Sequence, residues 1–255
     1  MLLCIDSGNS KTKWALFNPA GEIDDFGNCL NSELTDTSLP QPSQYQRVIV
    51  ANVAGENHQT DLIKNLANPA APIHWLQSPA HMTGLHNHYQ NPQSLGCDRF
   101  AAMMAAYCLG YGACVVVNAG TAVTIDALSI KNKRTDFLGG LILPGFHLMQ
   151  QSLALGTAQL PATAFKSDLA NKSLFANNTE DAMQAGALNA IVGAIHEMLT
   201  ALSAFDDSRP SIIIGGGDAA LIKSALTVTN PCTIVDNLVL HGLYFIDRNL
   251  QSESQ

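Results

Sequence analysis

Charge is scarce in this chain. Of 255 residues only 13% are Asp, Glu, Lys or Arg, and 13 basic residues face 21 acidic ones, a formal charge of −8. No cluster of Lys and Arg is large enough to form a basic stripe. This excludes the basic stripe with which a nucleic-acid-binding surface displaces counterions. No pair among Cys4, Cys29, Cys97, Cys108, Cys114 and Cys232 has C-x-x-C spacing. A zinc or disulfide framework is therefore not indicated, and these residues read as buried thiols of a reducing compartment. Leu2-Leu3-Cys4-Ile5 follows Met1 with no basic segment or cleavage pattern, and no apolar run reaches the roughly 18 residues of a membrane span. A cytoplasmic protein is expected, without a nucleic-acid or membrane partner. The Walker pattern G-x-x-x-x-G-K-[ST] is missing too, so any phosphate site must be built differently.

What is present is apolar. Hydrophobic residues make up 47% of the chain, enough for one large α/β domain or two ordinary ones, and the apolar excess favours an oligomer. Strand-length runs occur at Leu2–Ile5, Trp14–Phe17, Arg47–Val53, Ala113–Val117, Val123–Leu128 and Ser211–Ile214. Ala-rich helical stretches cover Arg99–Leu109 and Glu180–Ala204, and Met103 and Met104 belong to the core of the first. In the second, Ala182, Ala185, Gly186, Asn189, Ala190 and Gly193 form a stripe of small residues suited to close helix packing. Asp36–Gln46 reads as a surface loop and Gln251–Gln255 as a frayed tail.

Strands alternating with helices predict an α/β architecture. Two strand-turn-strand units 112 positions apart suggest duplication: Leu2–Ile5 leads into Asp6-Ser7-Gly8-Asn9-Ser10, and Val115–Val117 into Asn118-Ala119-Gly120-Thr121-Ala122. The expected domains are 1–114 and 115–255.

The first of these turns has the materials for holding a polyphosphate. Gly8 allows close backbone approach; Asn9, Ser10 and Thr12 carry donors; Lys13 carries charge; Asp6 can hold Mg²⁺ or its water shell. The same residues would also make an ordinary β-hairpin. Gly120 and Thr121 repeat the pattern in the second turn. Gly215-Gly216-Gly217-Asp218-Ala219-Ala220, with Asp236 beyond it, fits the dinucleotide fingerprint G-x-G-x-x-A. Only 35 residues remain after Ala220, too few for the rest of such a sheet. The glycines read instead as close approach to a nucleotide's sugar or base, or as a plain strand-to-helix turn.

Asp98, in Gly96-Cys97-Asp98-Arg99 ahead of an Ala-rich helix, reads as a general base with Arg99 beside it for an anionic substrate. The alternative is a helix cap. His81, His86 and His88 lie close together without a fourth ligand, in a stretch that reads as a loop rather than a metal site.

Six segments in order carry a family resemblance: DSGNSKTKWALF (Asp6–Phe17), YQNPQSLGCDR (Tyr89–Arg99), NAGTAVTID (Asn118–Asp126), FLGGLILPG (Phe137–Gly145), NTEDAMQAG (Asn178–Gly186) and IIIGGG (Ile212–Gly217). Together they resemble the type III pantothenate kinases of the actin-like and sugar-kinase-like ATPase superfamily. The resemblance implies two duplicated ribonuclease-H-like domains with a nucleotide cleft between them, and ATP-dependent phosphorylation of pantothenate within a homodimer. It assigns ATP binding to Asp6, Ser7, Gly8, Asn9, Ser10, Lys11, Thr12, Lys13 and Thr121, with Mg²⁺ accompanying the nucleotide. It makes Asp98 the catalytic base and Tyr89, Gly96, Cys97, Asp98, Arg99 and Thr179 the pantothenate site, with Thr179 reaching it from the partner subunit. The family's usual aspartate, a ligand for an activating K⁺ or NH₄⁺, is replaced here by Asn118. Asparagine keeps an oxygen but loses the charge, so activation by a monovalent cation is expected to be weak or absent. The alternatives are a kinase for another small acid or sugar, and a non-catalytic ATP-binding regulator. Retention of both Asp6 and Asp98 argues against the regulator.

Overall fold

The computed structural model describes residues 1–35, 38–66, 71–156 and 174–253. Two compact units emerge: Met1–Gly110 with Asn237–Gln255, and Tyr111–Asp236.

The first unit holds a five-stranded sheet in the order β3-β2-β1-β4-β5. Its strands are β1 (Leu2–Ser7), β2 (Lys11–Phe17), β3 (Ile23–Leu30), β4 (Arg47–Asn52) and β5 (Ile73–Trp75). β1, β2 and β3 form an antiparallel meander, while β4 and β5 add in parallel. Helix α1 (Glu56–Asn65) connects β4 to β5; a small hairpin, β6 (His81–Met82) and β7 (Leu85–Asn87), precedes α2 (Cys97–Cys108). Consecutive residues of β1 are all buried from Leu2 to Ile5, as a strand covered on both faces requires. Leu3 and Ile5 join Trp14, Leu16, Val48, Val50 and Leu62 in one cluster.

The second unit repeats the plan: β12-β11-β8-β9-β10. Here β8 (Cys114–Ala119), β9 (Ala122–Lys131) and β10 (Arg134–Pro144) are the meander, and β11 (Ser211–Gly215) and β12 (Cys232–Ile234) the parallel strands. Helix α5 (Ala219–Ala225) connects β11 to β12 as α1 connects β4 to β5. The matching strand orders and directions identify two ribonuclease-H-like units of duplicated origin. Helix α3 (Phe146–Gly156) follows β10, and the 28-residue α4 (Thr179–Asp206) buries Met183, Ala187, Leu188, Ile191, Ile195, Leu199 and Leu202 at helical spacing. These pack with Val115, Val117, Val123, Ile125, Ile212 and Ile214.

Several expectations need correction. The second unit does not run to residue 255: α6 (Leu238–Glu253) packs with α2, β1 and β4 of the first unit. A Cβ on Gly242 would collide with the Ala101 carbonyl, Phe17 stacks on Tyr244 at 4.9 Å, and Arg47 donates to the buried Asp247 at 2.7 Å. This apolar packing also keeps the chain helical through Glu253, where a frayed tail was expected; residues 254–255 lie outside the described set. The segment 38–46 is not wholly superficial, because Leu39 and Tyr45 are buried in the first core; 36–37 lie outside the described residues. The His81–His88 stretch is not a plain loop, since His81 pairs with His86 across the β6–β7 hairpin. Among the described residues, no three His, Cys, Asp or Glu side chains converge as metal ligands.

The thiols are free, with Cys4, Cys97 and Cys114 buried, but Cys108 is exposed. α4 is long and apolar enough to cross a membrane by length and composition, although no such run was expected; its buried face packs in the second core.

Candidate active site

The first turn joins β1 to β2, with Ser7 opposite Thr12 and Asp6 opposite Lys13. It is a hairpin, as the plainer reading held, but the side chains divide sharply. Asn9, Ser10 and Lys11 are exposed. Ser7 and Thr12 are fully buried. The Ser7 hydroxyl donates to Asn52 Oδ1 at 3.0 Å, and Thr12 Oγ1 meets Asn31 Oδ1 and His58 Nε2, each at 2.9 Å. These two hydroxyls therefore hold the turn from behind. Gly8 donates its N–H to the Lys11 carbonyl at 3.1 Å, and a Cβ on Gly8 would crowd that same oxygen at 3.3 Å.

Asn52, at the end of β4, ties this turn to α2. Besides accepting from Ser7, it offers its backbone carbonyl to the Cys97 thiol at 3.6 Å. Gly96 is the N-cap residue of α2, and a Cβ there would stand 2.7 Å from Asp98 Oδ1. Glycine at this position is thus what makes room for the carboxylate. Asp98 is not the cap; it lies in the first turn, and its Oδ1 accepts the Arg99 N–H at 2.8 Å. The Arg99 side chain is buried, donates to the Tyr89 hydroxyl at 2.6 Å and lies 5.5 Å from the centre of that ring. Tyr89 is oriented in turn by its N–H to Asn87 Oδ1 at 3.1 Å. Tyr89, Gly96, Cys97, Asp98 and Arg99 are accordingly one constellation, linked through Asn52 to the turn at Asp6–Lys13.

The electrostatics suit acid–base and phosphate chemistry. Desolvation raises the Asp98 carboxyl above its usual value, opposed by the Arg99 N–H and the guanidinium charge. Desolvation pushes Asp6 from 3.8 up to about 7, opposed by Lys13 and reinforced by Asp98. Burial, with Asp98 adding, moves the Cys97 thiol to about 11, so it is a neutral wall rather than a nucleophile. A buried carboxylate whose ionisation is made costlier by desolvation and by a second carboxylate fits a divalent cation bound with a nucleotide. Mg²⁺ needs only one or two protein carboxylates when phosphates and water complete its shell.

In the second unit Thr121 and Gly120 are exposed in the β8–β9 turn. Gly145 donates to the Thr121 carbonyl at 2.8 Å, and a Cβ on Gly216 would strike the Ala119 backbone. Gly216 thus allows the β11–α5 turn to pack directly on the end of β8. Asn118 pairs with Thr124 beside it. Thr179 opens α4, but Asn178 is the cap, accepting the Asp181 N–H at 2.9 Å. The exposed Thr179 is therefore not the helix cap.

Asn31, Asn52 and His58 escaped the sequence reading. Asn52 ends an apolar strand run, a signal that could have drawn notice; Asn31 and His58 reach the turn only through tertiary structure.

Two duplicated ribonuclease-H-like units are the fold of the sugar-kinase-like ATPases. The sequence profile of the type III pantothenate kinases matches residues 2–201. A type III pantothenate kinase from Methylobacillus flagellatus is 39% identical, covering 98% of this chain and 98% of its own. One from Nitrosospira multiformis is 36% identical over 97% and 91%. A crystal structure from Campylobacter jejuni, described as a Baf family transcriptional activator, shares the fold with a TM-score of 0.60 at 22% identity, covering 98% of this chain and 99% of that one. The chain belongs to the type III pantothenate kinase family, transferases that phosphorylate pantothenate with ATP in coenzyme A biosynthesis.

Raising the Asp6 pKa on folding makes its ionisation a cost. Relative to Asp6→Asn, the native carboxyl is harmless below its unfolded value near 3.8 and increasingly destabilising as pH rises through about 7. Thermal melts across pH 4–8.5, without nucleotide, should therefore diverge from about pH 4 and stop diverging above about pH 7, the variant ending as the more stable protein and as a poor kinase. Parallel melting curves at all pH values would refute the burial cost.

Proposed function

We propose that this chain transfers the γ-phosphoryl group of ATP to the primary hydroxyl of pantothenate, giving 4′-phosphopantothenate and ADP, as a cytoplasmic enzyme. The observation that carries this reading is the half-buried Asp98, with raised basicity, in a constellation tied through Asn52 to the Asp6–Lys13 turn. Asp98 takes the hydroxyl proton as the oxygen attacks the γ-phosphorus in line and the bond to the β,γ-bridging oxygen breaks. A carboxylate with a raised pKa is the better base for that proton. Arg99 and Tyr89 hold the substrate's carboxylate end, and Gly96 and Cys97 line its path. The exposed Asn9, Ser10 and Lys11, with Lys13 and the backbone at Gly8, receive the phosphates; Asp6 would hold Mg²⁺, which would supply the charge neutralisation the phosphates need. Ser7 and Thr12 serve the turn's shape, and the family resemblance assigns Thr121 to ATP as well.

Asp98→Asn should fold normally and lose about 10²–10⁴ in kcat, the range for a missing general base. A coupled ADP-release assay with ATP, Mg²⁺ and pantothenate measures it; near-native turnover would remove Asp98 from the mechanism.

Asn118 lacks the charge that a monovalent-cation site would use. Adding K⁺ or NH₄⁺ at fixed Mg²⁺ should change kcat by less than about twofold, against the strong activation that a charged ligand supports. A steep dependence would place the cation on another group.

The enzyme acts as a homodimer in which Thr179 completes the partner's acceptor site. Supporting this, Thr179 is exposed, and Ala182, Gly186, Asn189, Ala190 and Gly193 continue an exposed face of small residues along the same helix. Mixing Asp98→Asn chains with Thr179→Trp chains would then leave one composite site intact per heterodimer. About half of native turnover per heterodimer should return, on symmetry grounds. Heterodimers verified by mass but inactive would exclude a shared site.

A further inference from the structure

A turn that binds phosphate must present N–H groups and keep its carbonyl oxygens turned away from the anion. In the Asp6–Lys13 turn one residue does the second job twice. Asn31, just past β3, donates its backbone N–H to the Ser10 carbonyl at 3.1 Å and its side-chain Nδ2 to the Gly8 carbonyl at 2.8 Å. With Nδ2 facing Gly8, Asn31 Oδ1 faces Thr12 and accepts its hydroxyl proton at 2.9 Å. A hydroxyl has one proton to give. The remaining contact, Thr12 Oγ1 to His58 Nε2 at 2.9 Å, must therefore run the other way, from the ring N–H to the hydroxyl oxygen.

The result is a directed chain: His58 Nε2–H to Thr12, Thr12 to Asn31, Asn31 to Gly8. It starts on α1, 46 residues beyond Thr12, and ends at the carbonyl next to the exposed Asn9. Thr12 has no exposed surface, so water cannot replace the ring as its donor without opening the core. Desolvation lowers the His58 pKa, countered by Asp61, and the neutral ring with its proton on Nε2 meets the chain's demand.

We infer that His58 is a positioning residue for ATP: its Nε2–H orients Thr12, and through Thr12 and Asn31 holds the Gly8 and Ser10 carbonyls away from the phosphates. The inference rests on the turn being the phosphate-binding segment. It gives α1, which supplies none of the residues assigned to substrates, a specific part in nucleotide affinity.

The test is a comparison of KM values in the intact enzyme. His58→Leu removes the donor and should raise KM for ATP by about tenfold, the effect of one buried hydrogen bond, with KM for pantothenate and the melting temperature little changed. His58→Gln places an amide donor near the Nε2 position and should restore most of the ATP affinity. Thr12→Val combined with His58→Leu should be no worse than the poorer single variant, because both break the same chain. A folded His58→Leu enzyme with native KM for ATP overturns the inference, as does an equal rise in both KM values with a lowered melting temperature. Lys13→Ala separates the two levels. If it weakens ATP while His58→Leu does not, only the positioning role fails; if neither weakens ATP, the phosphate reading of the turn falls, and this inference with it. Should His58→Leu not fold, ¹⁵N NMR of the native chain decides the matter. The Nε2–H tautomer, shifting on addition of a non-hydrolysable ATP analogue, is expected; an Nδ1–H tautomer overturns the chain.

Discussion

β1 and β4 lie side by side and parallel, with Asp6 opposite Ala51 and Ser7 opposite Asn52. The site of the first unit depends on that register. It sets the Ser7 hydroxyl on the Asn52 side chain and leaves the Asn52 carbonyl for the Cys97 thiol, so the turn after β1 and the start of α2 share one anchor. Side chains in a strand alternate between faces, and a slip of one residue would turn Ser7 and Asn52 to opposite sides. Both strands are buried through their middles, and that burial is what makes such a slip costly.

Small residues recur where the chain must come close to itself. Gly96 leaves room for the Asp98 carboxylate, Gly216 for the backbone of Ala119, and Gly242 for α2 beneath α6. Gly27 plays a comparable part in β3, where a Cβ would enter the Trp14 ring. Elsewhere the two units rely on ordinary sheet-and-helix packing. Their strand orders agree although their helical additions differ, as expected if the strands carry the ancestral plan and the helices carry later specialisation.

Polar groups near the site are arranged with economy of protons. Thr12 and Ser7 would be natural phosphate donors in an exposed loop, yet both are buried and committed to neighbours. The exposed donors are Asn9, Ser10 and Lys11. This division lets a short hairpin keep one shape while its outer edge stays exposed. The two carboxylates are handled in the opposite sense: at Asp6 and Asp98 desolvation outweighs the favourable charges and hydrogen bonds, and both pKa values are raised.

Much of this protein was determined by its sequence alone. The apolar runs that became β1, β2, β4, β8, β9 and β11 were legible because buried strands concentrate hydrophobic residues. So were α2 and α4, and so was the duplication, because a strand, a polar residue and a glycine turn recur together. β3 and β12 were not legible: edge strands such as Ile23–Leu30 are mostly exposed and carry no apolar alternation to read. The Asp98 segment stood out because its residues are contiguous, and a local motif survives in one dimension. The membership of α6 in the first unit, the bond from Arg99 to Tyr89, the anchoring by Asn52 and the reach of His58 to Thr12 were decided only by tertiary structure. Each joins residues between 10 and 200 positions apart, and nothing in the spacing of a sequence records which distant hydrogen-bonding groups the packed core will force together.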